Sequence, residues 1–80
     1  MKVLILARDQ TLIDRMVAYL RGDGLDPAGT TNDDEALTRV WAGEIETLVI
    51  GGGVDEESRL RLVSEAERCG IAVLPRSPAK

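Results

Sequence analysis

The chain has no histidine and no phenylalanine, and only one cysteine, one tryptophan and one tyrosine among 80 residues. Without histidine it has no side chain whose ordinary pKa lies near neutrality, and Cys69, the single thiol, has no imidazole to act as its base. An intramolecular disulfide is excluded. A structural zinc site, which takes four Cys or His ligands, is excluded with it. No apolar stretch approaches the ~20 residues of a membrane span, and the run over 3–6 is too short for a signal-peptide core, so no membrane association is expected and a cytoplasmic location is. Ten basic residues are scattered among fourteen acidic ones, for a net charge of -4. Binding to phosphate backbones needs clustered Lys and Arg, so nucleic acid is not an expected partner either.

Against these absences stand three short, continuous apolar runs: Val3, Leu4, Ile5 and Leu6; Leu48, Val49 and Ile50; and Ile71, Ala72, Val73 and Leu74. They are too brief for helices and do not alternate with polar residues, which predicts parallel strands buried on both faces. Between them lie three segments with helical spacing. The first covers about 10–21, with Asp9 as N-cap and Leu12, Ile13, Met16, Val17 and Leu20 on one face. The second covers 33–42, where Asn32 with Glu35 reads as a capping box and Gly43 as the stop. The third covers about 56–69, capped by Asp55, with Leu60, Val63 and Ala66 inward and Gly70 beyond its end. The weak segment 25–31 contains Pro27, which suits only an edge strand. The expectation is one α/β domain over residues 1–75, built from four strands and three helices, with a loose tail over 76–80.

Lys2-Val3-Leu4-Ile5-Leu6, a polar turn, an amphipathic helix, Gly24-Leu25, Asn32-Asp33-Asp34-Glu35-Ala36-Leu37 and Glu46-Thr47-Leu48-Val49-Ile50 together resemble a bacterial response-regulator receiver domain. The likeness is one of pattern and spacing over nearly the whole chain. It implies a three-layer flavodoxin-like fold with a parallel sheet in the order 2-1-3-4. A receiver continues to a fifth strand and helix, so this chain resembles a truncated, degenerate form. The family holds magnesium with an acidic pair after the first strand and accepts a phosphoryl group on an aspartate ending the third. Here those positions fall on Ala7 and Arg8, followed by Asp9, and on Gly51. The family's lysine belongs to the fifth strand, and Lys80 has no correspondence to it. These departures from the pattern predict a module that is not phosphorylated, and with no base near a nucleophile and no ligand set, no enzyme activity, cofactor or metal is expected.

In a sheet of that order a ligand would sit outside the carboxyl ends of the first and third strands, beside Arg8, Asp9, Gly51, Gly52 and Gly53. Successive glycine N–H groups with an arginine beside them suit a small anion or nucleotide. The other reading is a tight strand-to-helix turn at positive φ, and Asp55, Glu56 and Glu57 would repel an incoming phosphate. The spacing matches neither phosphate-loop pattern. The acidic clusters at 33–35 and 55–57 are the ordinary complement of a helix N-terminus rather than metal ligands. Cys69 reads as a small buried hydrophobe. Trp41, beside the stripe of its helix, reads either as half-buried core or as a partner contact.

Right-handed crossovers place the first helix on one face of the sheet and the other two on the opposite face. One face then has a single helix, and apolar residues of the last two strands meet water there. Leu48, Val49, Ile50, Ile71, Val73, Leu74 and Trp41 are the candidates for an interface, with one alternate set of each strand facing that way: Leu48 and Ile50 or Val49, and Ile71 and Val73 or Ala72 and Leu74. Covering about 400 Å² of such surface is worth about 10 kcal/mol, comparable to the stability of a whole domain. A homodimer is expected, or a stable protein partner in its place.

Overall fold

The computed structural model describes residues 2–51 and 53–74. Gly52 and the segment 76–80, expected to be a loose tail, lie outside the described residues. Seven elements follow in chain order: β1 (Lys2–Leu6), α1 (Gln10–Gly22), β2 (Asp26–Thr30), α2 (Asp33–Ala42), β3 (Thr47–Ile50), α3 (Glu56–Arg68) and β4 (Ala72–Leu74). The strands form one parallel sheet in the order β2-β1-β3-β4, the flavodoxin-like arrangement. Pro27 falls on the outer strand β2, where the missing N–H costs no central ladder bond.

Apolar runs become central strands because both faces are covered. Leu4, Leu6, Leu48 and Ile50 point to α2 and α3 and pack with Leu37, Val40 and Leu62. Val3, Ile5 and Ala7 point the other way and pack with Ile13 of α1. Val49 joins this second cluster as a partly buried member, with Met16, Val17 and Leu20.

The helix ends hold as local chemistry requires, with one rewiring. Asp9 accepts from Thr11 N–H at 2.9 Å, and Asn32 accepts from Glu35 N–H at 3.1 Å. Glu35 does not return to the Asn32 N–H as a capping box would. That N–H donates to Thr30 Oγ1 at 3.0 Å, and the Thr30 hydroxyl donates on to Glu35 Oε1 at 2.8 Å. The buried Thr30 thus completes the cap from the end of β2. Gly43 closes α2 in the left-handed conformation at φ 71°.

Helix α3 keeps two members of the expected stripe, Ala66 buried and Val63 packed against the core, and departs at the third. Leu60 is 61% exposed and Leu62 takes the buried position. Polar contacts to α2 two helical turns apart hold this rotation: Ser58 Oγ donates to Asp33 Oδ2 at 2.6 Å, and Trp41 Nε1 donates to Glu65 Oε1 at 3.0 Å. Asp55 occupies the N-cap position but makes no capping hydrogen bond with its side chain. Cys69, at the C-cap, is exposed rather than buried.

The register between the last two strands corrects the expected interface set. Leu48 lies opposite Val73 and Val49 opposite Leu74, so each pair shares a face. Leu48, Ile50 and Ile71 are buried under α2 and α3, and Val73 packs against the same cluster. Leu48, Ile50 and Ile71 are core residues with no surface to offer, and Val73 is partly buried on the same side. Val49 and Leu74 remain on the α1 face.

Gly29 gives this packing a sharp test. A Cβ added there would collide with Ile13 Cγ2, at the point where α1 crosses β2. Gly22, in the last turn of α1, has open space around it. Gly29→Ala is expected to lower stability by about 1–3 kcal/mol through overpacking. Gly22→Ala should be neutral or stabilising by up to roughly 1 kcal/mol. Urea denaturation of the two variants reads both values.

Candidate functional site

Beyond the carboxyl ends of β1 and β3, the structure gathers Arg8, Gly51 and Gly53 with Asp55, expected there as a repelling charge, and with two residues the sequence did not bring there, Asp33 and Ser58. Arg8 Nη1 donates to the Thr31 carbonyl at 2.8 Å, and Nη2 lies 2.8 Å from Asp33 Oδ1 and 3.7 Å from Asp55 Oδ1. Asp33 Oδ1 is buried and has no hydrogen-bond partner among the described residues, so the ion-paired guanidinium is the group that offsets its charge. Ser58 holds the other oxygen of the same carboxylate. The start of α2, the start of α3 and the end of β1 are thereby tied at one point. Asp9 is turned to its own helix as a cap.

The glycines are there for close approach. Gly51 N–H donates to the Leu6 carbonyl at 2.7 Å, and a Cβ on Gly51 would stand 3.0 Å from the Ala7 Cβ. A side chain fits at this position only if its neighbours shift. Gly53 adopts φ 85°, and a Cβ there would meet the Arg8 stem at 3.1 Å. Of the two described glycines only Gly53 needs the left-handed region; Gly51 is required by packing. Among the described residues, no three Asp, Glu, Cys or His side chains stand together as a metal-binding group.

Asp55 is exposed, and its carboxyl is held below its ordinary value of 3.8. The neighbouring Ser58 hydroxyl contributes most; desolvation opposes it, and the backbone N–H groups of Asp55 and Ser58 and the charge of Arg8 add to the lowering.

A second feature lies on the opposite side of α1 from β2. Met16, Tyr19 and Leu20 of α1, with Arg15 at the rim, face Val49 and Leu74 across an apolar groove of about 600 Å³. Tyr19 is 73% exposed and Leu74 43%. Trp41 does not belong to this surface: it rides on α2, behind the sheet, 58% exposed and hydrogen-bonded to Glu65. The signal for Tyr19 was its place at the edge of an apolar stripe. That Val49 and Leu74 complete the groove depends on strand register. Among the described residues no helix is long and apolar enough to cross a membrane.

Comparison with protein-family models, curated proteins and solved structures finds no match to this chain.

Removing Arg8 leaves Asp33 with a buried, uncompensated oxygen, so Arg8→Ala is expected to destabilise by about 1–3 kcal/mol. The Asp55 contribution has a definite pH sign. Its folded pKa is depressed, so its stabilisation is present above the ordinary 3.8 and is lost as pH falls through the lower folded value. Urea midpoints for Asp55→Asn and the parent chain should differ at pH 6 and converge in strong acid; parallel curves throughout would contradict the assignment.

Proposed function

We propose that this chain is a non-catalytic, receiver-like interaction module with a regulatory role, which self-associates through the face formed by α1, β3 and β4. The observation that carries the reading is the groove: an apolar floor of Val49 and Leu74, flanked by an exposed Tyr19, on the side of the sheet where α1 packs alone among the described helices. Exposed apolar patches of this kind mark interaction sites on soluble domains. A second copy that covers the floor removes it from water and gains stability with concentration.

Two arrangements at the carboxyl end of the sheet support the non-catalytic half of the proposal. Gly51 stands where the resemblance puts a phosphoacceptor, with its α-carbon pressed toward Ala7. Arg8 stands where it puts an acidic pair, and its charge answers Asp33 and Asp55. A cation arriving there would meet a guanidinium already in place. An anion would have to compete with two carboxylates for Arg8, which is why an anion site is not the reading proposed. Cys69, exposed and without an intramolecular partner, is suited to the reducing cytoplasm, where the proposal places the protein.

Sedimentation equilibrium over roughly 1–100 μM should show the parent chain passing from monomer to dimer. Leu74→Asp should hold it monomeric, while Leu60→Asp, on the other side of the sheet, should leave association unchanged. A folded parent chain that is monomeric across that range defeats the proposal. Incubation with a small-molecule phosphodonor should leave the intact mass unaltered; a stable phosphoryl adduct would count against the non-catalytic reading.

A further inference from the structure

The groove's rim constrains how a second copy can seat. Arg15 and Tyr19 both line the groove and are one helical turn apart on α1, about 6 Å along its axis. Neither side chain has a hydrogen bond, ion pair or ring contact within the described chain. Among the described lining residues Arg15 is also the only charged one, beside apolar Met16, Leu20, Val49 and Leu74 and uncharged Tyr19. Two copies pairing through this face with their α1 helices parallel would set arginine against arginine over an apolar floor. Two copies pairing with α1 antiparallel reverse the order. A two-fold axis passing between the two positions then puts each Arg15 over the Tyr19 ring of the other copy.

We propose that the chain dimerises with α1 antiparallel to its counterpart, the Arg15 guanidinium of each copy stacking on Tyr19 of the other while Val49 and Leu74 are covered beneath. This rests on the self-association reading above and specifies its geometry. The chemistry suits the site: a guanidinium is more weakly hydrated than an ammonium, stacks on aromatic faces and is drawn to the ring quadrupole. Symmetry makes the contact twice for one pair of residues, and the described lining residues bring no carboxylate to the seam of a chain whose net charge is -4. The required unit is a second copy, because the patch carries both the cation and the ring that receives it.

The test is a double-mutant cycle on the dimer dissociation constant, measured by sedimentation equilibrium for the parent chain, Arg15→Gln, Tyr19→Ala and the double variant. Each single variant should weaken the dimer about tenfold, since each removes both symmetry-related contacts, and the double variant should be little weaker than either. Tyr19→Phe, which keeps the ring, should stay within about twofold of the parent. Orientation is read in a Cys69→Ser background. Arg15→Cys chains mixed with Tyr19→Cys chains should oxidise to a mixed disulfide dimer, and neither should cross-link efficiently alone. Additive losses in the cycle, or efficient cross-linking of Arg15→Cys chains with one another, overturn the pairing. A dimer abolished by Leu74→Asp but indifferent to both rim variants overturns the pairing and leaves self-association standing. A parent chain that stays monomeric leaves the face to a different protein and removes both.

Discussion

A central strand buried on both sides needs apolar cover on both sides, and that requirement organises this molecule. β1 has Val3, Leu4, Ile5 and Leu6 at 4% exposure or less. Its even-numbered side chains meet α2 and α3, and its odd-numbered ones meet α1. Two helices close the first face across β1, β3 and the start of β4. One helix serves the second, and it lies over β1 and β2. The shortfall falls on β3 and β4, where Val49 and Leu74 form the floor of an open groove.

The carboxyl end of the sheet follows a different logic. A crevice there usually hosts a ligand because strand ends, helix N-termini and loops converge on it. In this chain side chains of three elements pair with one another there. Asp33 and Asp55 stand at the N-termini of α2 and α3, where carboxylates complement the helix dipole, and a single guanidinium rising from the end of β1 answers both. Glycines at 51 and 53 let the β3–α3 turn lie close against Ala7 and Arg8. The Arg8 guanidinium, paired with Asp33 and Asp55, stands at this end of the sheet.

Much of this was legible in the residues. Uninterrupted apolar runs gave the strands, helical spacing with Asp9, Asn32 and Gly43 gave the helices and their ends, and an edge position for Pro27 gave the strand order its outer member. In the stripe of α3, Val63 and Ala66 face the core as expected and Leu60 does not. Leu60 and Leu62 flank those two from nearly opposite sides, and contacts to α2, with Ser58 donating to Asp33 and Glu65 accepting from Trp41, accompany the turn that brings Leu62 inward. The capping box was half legible: Asn32 caps as expected, but Thr30, from the preceding strand, takes the role assigned to Glu35. Arg8 was visible as a lone cation. Asp55 was legible as a negative charge near it, but not as its partner, and Asp33, 25 positions away, looks like an ordinary first-turn acid.

The sequence by itself determined the α/β class, the order of elements and the absence of histidine-based chemistry, because these follow from local periodicity and composition. Only the tertiary structure decided which member of each apolar strand faces which layer. A run such as Leu48, Val49 and Ile50 is apolar at every position and carries no parity of its own. Parity is set by pairing, Leu48 beside Val73 and Val49 beside Leu74, and pairing is a long-range event. The same register that buries Leu48, Ile50 and Ile71 leaves Val49 and Leu74 in the open groove beside Tyr19.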